Sequence, residues 1–258
     1  MHKSRPKFLI PESLPPGDIK IAFSTRLGGV SEPPFDSLNL GFKSGDKSEA
    51  VLENRRVLAK SLDLDLRVLT FAHQVHTDNV TLIDKSLAGA GNGLSPLVLP
   101  ETDGLITGLE DVGLVVLSAD CLPIILIDPL KKICAAVHAG WRGTLKRIAA
   151  KTVADMIRQG AVASRIKAFL GPAIGECCME VASDLFEQFS TAFDLGLVTE
   201  KPHLNLPGIN ETILIGAGLL PQNIENMKLC TSCRPDLFFS WRRDGQTGRQ
   251  GAIVIRSK

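Results

Sequence analysis

The chain has 258 residues, 44% of them hydrophobic and 22% charged, with 29 Lys plus Arg against 28 Asp plus Glu and a net charge of +1. That length suits one large domain or two small ones and can bury a substantial core. The even charge balance excludes a general field for nucleic acid or an anionic membrane surface.

The N-terminal apolar run, Phe8-Leu9-Ile10, is shorter than a secretory core requires. No uninterrupted apolar run reaches the length of a membrane span, because Asp120 and Asp128 break the best candidate. A cytoplasmic location is expected. Residues 19–24 alternate apolar and small side chains and predict a first strand. A helix follows at 48–61, then a strand at 80–83. The segment AGAGNGLSPLVLP, residues 88–100, reads as an exposed loop within one domain. Strands are expected at 104–107, 112–118, 122–127 and 133–138. Residues 144–159 place Leu145, Ile148, Val153 and Met156 on one helical stripe, with Gly160 as the stop. Further strands are expected at 166–170, 228–230, 238–242 and 252–255, and further helices at 181–193 and 210–217. Residues 238–255 read as a hairpin, with Asp244-Gly-Gln-Thr-Gly248 as its turn. No repeat of 20–50 residues divides the chain. The reading is α+β, a single domain (1–258) of mixed β-sheets flanked by helices.

Six cysteines occur, at 121, 134, 177, 178, 230 and 233. With no export signal they are expected to be reduced. Cys134 alternates within its apolar run as a small core residue. Cys230-Thr-Ser-Cys233 has the spacing of half a zinc knuckle, but no second such pair is present and the adjacent Cys177-Cys178 cannot face one side of a strand. A zinc there is not expected.

Chemistry gathers around SADCLPIILIDPLKKICAAVHAGWRGT, residues 118–144. A thiol at Cys121 and an imidazole at His138 sit at the ends of two apolar runs. The Gly140-Trp141-Arg142-Gly143 turn offers close backbone approach, helix N–H groups and a fixed charge, which suits an anion. His73-Gln-Val-His76 adds two imidazoles whose spacing puts them on opposite sides of a strand, so one would face a site. Two imidazoles and a thiolate make a donor set for Zn²⁺ or copper, with one position left open as in catalytic sites. Spacing alone does not show that they converge. Two more basic segments end strands: STRLGGVS with Arg26, and FSWRRD with Arg242 and Arg243, Arg249 lying beyond the turn.

STRLGGVS, FDSLNLGFKSGD, ENRRVLA, HQVHTDNV, ETDGLIT, SADCLPIIL, AAVHAGWRGT, FLGPAIGECCMEV, CTSC and FFSWRRDGQTGR occur in this order. Together they closely resemble the bacterial YfiH/LACC1 proteins, long labelled laccase-domain or polyphenol oxidoreductases. The resemblance implies one domain of mixed sheets flanked by helices, similar to a class of cysteine-hydrolase-like toxins. It implies metal ligands at His76, Cys121 and His138, which would also be the catalytic residues, with zinc as cofactor and copper as an alternative. Thr77 stands where the family most often has Gly, and His73 where it often has another polar residue, so His73 is expected either to support the ligands from behind or to line the substrate site, not to ligate.

The implied activity is a metal-dependent purine nucleoside phosphorylase with adenosine deaminase activity, acting on adenosine, inosine or methylthioadenosine. Its partners are then small molecules, a purine nucleoside and phosphate, with no nucleic acid or membrane. For phosphorolysis, Arg26, Arg142 and Arg243 are the expected phosphate ligands, assisted by backbone N–H groups at Gly28-Gly29 and Gly140–Gly143. For deamination the trio would activate water. No H-x-E motif appears, so proton transfer would differ from that of the zinc nucleobase deaminases. Asp120 is one candidate, although on a strand it would point away from Cys121. Two alternatives stand beside this reading. One is a metal-free Cys–His hydrolase or amidase that edits peptidoglycan precursors, with Cys121 as nucleophile and His138 as base. The other is a copper-dependent polyphenol oxidase, for which five histidines are few: four-electron oxygen reduction needs several copper ions and many imidazoles.

Overall fold

Strand β11 (Gln250–Arg256) shows how the chain layers itself. Ala252 and Val254 face a second sheet, while Ile253 packs outward against a helix, as the period of two requires. It pairs antiparallel with β2 (Ile19–Ser24) on one side and β6 (Gly113–Ser118) on the other. β1 (Phe8–Leu9) and β3 (Leu69–Phe71) complete the five-stranded sheet, in the order β1-β2-β11-β6-β3. The computed structural model describes residues 6–195 and 202–257; His2 lies outside them.

The second sheet has six strands: β4 (Val80–Leu82), β5 (Gly104–Thr107), β7 (Leu122–Asp128), β8 (Ile133–Ala139), β9 (Lys167–Leu170) and β10 (Ile224–Asn226). Their order is β10-β9-β7-β8-β5-β4. Both sheets are mixed, with parallel pairs β3/β6, β4/β5 and β9/β10. β7 and β8 are buried at every position, which is why each reads as a continuous apolar run rather than an alternation. On β8, Cys134 and Ala136 face the other sheet; Ala135 and Val137 face helices.

Helices cover both outer faces. α1 (Ser48–Ser61) packs Leu58 and Ala59 on the five-stranded sheet. α2 (Trp141–Leu145), α3 (Ile148–Arg158), α4 (Ser183–Phe193) and α5 (Leu206–Gly216) cover the six-stranded one. No helix among the described residues is long and apolar enough to cross a membrane.

Several expectations change. The single helix over 144–159 is two, broken where Arg147 turns left-handed at φ 58° and lays its guanidinium over Phe193. The last helix begins earlier than expected because the Asn205 side chain accepts from Gly208 N–H and caps it. The hairpin over 238–255 does not form. Ser240 caps a short helix, α6 (Trp241–Asp244), and the Gln250 side chain takes the place of a partner strand by bonding the N–H and C=O of Phe239. The strand expected at 228–230 lies at β10, ending before Lys228 turns left-handed at φ 51°. Loop 88–100 is only partly exposed: Ala90, Asn92 and Leu99 are buried, and Gly91 C=O accepts from Arg55.

Candidate metal centre and its pocket

The hairpin of β7 and β8 brings the first two site residues together. Its last registered pairs are Pro123↔His138 and Leu122↔Ala139. One step further, Cys121 lies diagonal to His138 on the same, inter-sheet face, within side-chain reach. Gly140 falls opposite Cys121, and a Cβ there would sit 2.9 Å from Cys121 Sγ and 3.0 Å from His76 Cδ2. Gly140 has an ordinary backbone, φ −74°; the glycine is required for room.

His76 arrives from a loop, and Asp103 places it. This fully buried carboxylate accepts on Oδ1 from His138 Nδ1 at 2.7 Å and from His76 N–H at 3.1 Å. On Oδ2 it accepts from Val75 N–H at 3.1 Å and Thr77 N–H at 2.9 Å. The loop is thereby held with His76 in the left-handed region, φ 62°, uncommon for a residue with a Cβ. Gln74 anchors it from the other side by bonding both backbone groups of Leu117. No role for Asp103 is evident from the ETDG motif alone; a carboxylate directly before a buried strand is the available signal.

One ligand atom from each of His76, Cys121 and His138 lies within 4.8 Å of the others, and the two imidazoles meet edge to face with centroids 4.9 Å apart. The hydrogen bond at His138 Nδ1 leaves Nε2 free to ligate, the usual arrangement of a metal-bound histidine. The donor set, the spacing and the cleared space at Gly140 all fit Zn²⁺ or copper. Burial opposes charge at Cys121, but the His138 and His76 imidazoles outweigh it and bring the thiol down to about 6. Burial likewise opposes charge at His138, yet the Cys121 thiolate and Asp103 raise it to about 9. Asp103 stays below the usual carboxylate range despite burial, because His138 and the loop N–H groups favour its charged form.

The trio lines a cavity of about 680 Å³. Lys43, Arg55, Arg142, Arg242 and Arg249 also face it, with Asp120 as its carboxylate. Both Asp120 oxygens are taken, Oδ1 by Thr231 Oγ1–H and Oδ2 by Arg242 N–H, each at 2.6 Å. The cavity is therefore electropositive. Phe42, Phe71, Trp141 and Trp241 give it aromatic walls. Arg55 is clamped between the Phe42 and Phe71 rings and bonds Leu40 C=O; burial draws its pKa down to about 9. His73 lines the cavity and bonds Lys43, and it stands outside the donor trio.

Of the three arginines expected at phosphate, Arg142 reaches the cavity, stacked over Trp141. Arg26 and Arg243 are not among its lining residues. Arg26 bonds Asp36 and Pro235 C=O and lies over Phe239. Arg243 is spent on Asp244 and on the carbonyls of Thr231, Ser232 and Phe238. Gly29 also serves packing, since a Cβ there would lie 2.1 Å from Ser37 O. Arg242 and Arg249 take the places at the cavity instead. A second correction concerns the other cysteines. Cys177 and Cys178 lie in a turn, not a strand, so both sulfurs reach Cys233, and with Cys230 the four form one cluster.

A donor trio suited to a catalytic metal, at the wall of an electropositive and aromatic cavity, is an arrangement of the kind that enzymes of small molecules use. Comparison with known proteins carries this further. The family described as multi-copper polyphenol oxidoreductase laccase matches residues 20–257. The purine nucleoside phosphorylase YlmD of Bacillus subtilis is 34% identical, over 92% of this chain and 88% of that protein. Adenosine deaminase RL5, from an unknown prokaryotic organism, is 38% identical over 91% of this chain and 93% of that one. The crystal structure of the Bacillus licheniformis hypothetical protein YfiH superposes with a TM-score of 0.90 at 36% identity, covering 96% of each chain. The chain belongs to the YfiH/YlmD laccase-domain family.

Proposed function

We propose that this chain is a purine nucleoside phosphorylase that also deaminates adenosine. The observation that carries the reading is the shared cavity: a donor trio and several cationic side chains open onto one space between aromatic walls. The names of the relatives at 34% and 38% identity support it. His76, Cys121 and His138 would hold Zn²⁺, or copper in its place, which when bound supplies Lewis acidity and an activated water.

The remaining chemistry belongs to the chain. Arg142, Arg242 and Arg249 bind phosphate, where a planar guanidinium offers paired N–H groups. Trp141 and Trp241 flank the purine and exclude water from the glycosidic bond. Attack of phosphate at C1′ passes through an oxocarbenium-like state, so phosphate oxygens held close by arginines also stabilise the developing positive charge. His73 and Lys43 sit at the same cavity and can hydrogen-bond the ribose or base. Asp103 keeps His138 in one tautomer throughout. Adenosine incubated with and without phosphate tests the proposal by chromatography. Ribose 1-phosphate formed only with phosphate marks phosphorolysis, and inosine marks deamination; neither product from metal-replete protein would sink it.

A second reading rests on the line Asp103–His138–Cys121. A thiol at about 6 beside an imidazole at about 9, oriented by a buried carboxylate, is the array of a cysteine hydrolase. On this reading metal removal preserves turnover, and an amide of a peptidoglycan precursor is cleaved. On the first reading metal removal abolishes it.

A further inference from the structure

The strongest feature outside the cavity is the cluster of Cys177, Cys178, Cys230 and Cys233. The fold builds it deliberately. β9 and β10 run parallel, and the pairing continues past their ends to a bridge between Ala173 and Cys230. Thr231 N–H donates to Ala173 C=O at 2.9 Å, and Ala173 N–H to Leu229 C=O at 3.2 Å. Two loops distant in sequence therefore leave adjacent strand ends side by side. One delivers the adjacent pair Cys177-Cys178 on a turn, the other the Cys230-x-x-Cys233 turn.

We propose that these four cysteines bind a zinc ion as a tetrathiolate, at a site separate from the His76–Cys121–His138 centre. Sulfurs at the corners of a tetrahedron around zinc, each bonded at ~2.3 Å, stand about 3.8 Å apart. Here Cys177 Sγ is 3.6 Å and Cys178 Sγ 3.4 Å from Cys233 Sγ, and all four lie within 4.8 Å of one another. The Gly175 N–H donates to Cys230 Sγ at 3.2 Å, the kind of outer bond that steadies a ligating sulfur. Gly175 keeps this turn tight against the sulfurs: a Cβ there would stand 3.2 Å from both Cys177 Sγ and Cys230 Cβ. An all-sulfur, four-donor set is closed, the mark of a structural rather than a catalytic ion.

The ion would fix a wall of the active cavity. Ile174 and Met179, which bracket Cys177-Cys178, line that cavity, as does Arg242, whose guanidinium bonds Cys178 C=O at 2.8 Å. Arg243 bonds the carbonyls of Thr231 and Ser232 within the other loop. Tying the two loops together thus holds Arg242 of α6 against the cavity.

Plasma mass spectrometry of the full chain, expressed with zinc and purified without chelator, is expected to give two zinc ions per chain. Cys233→Ser is expected to leave one, and Cys121→Ser is expected to leave one. A second measurement leaves the cluster intact. Cys121→Ser protein loaded anaerobically with Co²⁺ is expected to show the intense thiolate-to-cobalt charge-transfer absorption of a four-thiolate tetrahedral ion. A zinc content that Cys233→Ser leaves unchanged, a Co²⁺ complex lacking that absorption, or a disulfide among the four in zinc-replete, alkylation-trapped protein overturns the proposal.

Discussion

Replacing Asp103 by Asn changes one atom and removes one charge, yet it strikes both histidine ligands. Each carboxylate oxygen accepts two hydrogen bonds, Oδ1 from His138 Nδ1 and His76 N–H, Oδ2 from Val75 and Thr77 N–H. An amide accepts on one side only. If its NH₂ faces His138, the imidazole must present a lone pair at Nδ1 and carry its proton on Nε2, which removes the ligating nitrogen. If the NH₂ faces Val75 and Thr77, two buried N–H groups lose their acceptor and the His76 loop loosens. Two bonds to a charged acceptor at about 1.5 kcal/mol each put the loss of stability near 3 kcal/mol. Loss of an outer-shell partner weakens metal binding by about 10- to 100-fold. Competition with a chromophoric chelator measures the second effect and urea unfolding of metal-free protein the first. An Asp103→Asn chain that binds zinc within about twofold of wild type would refute the role given to this carboxylate.

Gly140→Ala inserts a methyl group 2.9 Å from Cys121 Sγ without backbone strain; overpacking should cost about 1–3 kcal/mol, lower the melting temperature and weaken metal binding, while Ala at the solvent-facing Gly216, with nothing within 4 Å, should do neither. Arg249→Ala and Arg142→Ala should raise the KM for phosphate about 10- to 100-fold, the worth of a charge-assisted bond, and leave deamination of adenosine nearly unchanged; Arg26→Ala should leave the phosphate KM alone and lower stability instead. In metal-free protein the Cys121 thiol titrates near 6, below the ordinary 9.0, and His138 near 9, above 6.5. The thiolate's stabilising effect is lost as pH falls through about 6, and the imidazolium's as pH rises through about 9. Alkylation of Cys121 by iodoacetamide should therefore stay fast from about pH 6 upward, where a free thiol near 9.0 would already be slow at neutrality.

The hairpin that carries the site was legible because its causes are local. β7 and β8 are buried on both faces, so they read as apolar runs, and the short connection between them fixes Cys121 near His138. His76 was placed by resemblance, since what holds it is Asp103, and that contact spans the loop from 76 to 103 and leaves no periodic trace. The arginines misled for a related reason. A guanidinium beside a glycine pair suggests phosphate, but whether it faces a cavity depends on neighbours such as Asp36 and Phe239, which only the folded chain brings close to Arg26. At α6, side chains of Ser240, Asp120 and Gln250 satisfy the backbone that would otherwise have paired as a strand. A zinc at the cysteines is not expected from the sequence because Cys177-Cys178 reads there as part of a strand, whereas it sits on a turn, and the pairing that unites it with Cys230 and Cys233 is a parallel one between β9 and β10.

The most direct test is an anomalous diffraction map, collected at the zinc edge, from crystals of zinc-loaded protein. The account requires a peak at roughly 2.0–2.3 Å from one nitrogen of His76, one nitrogen of His138 and the sulfur of Cys121 together. An ordered trio with no peak among its donors, in protein that contains zinc and turns over adenosine, would contradict it.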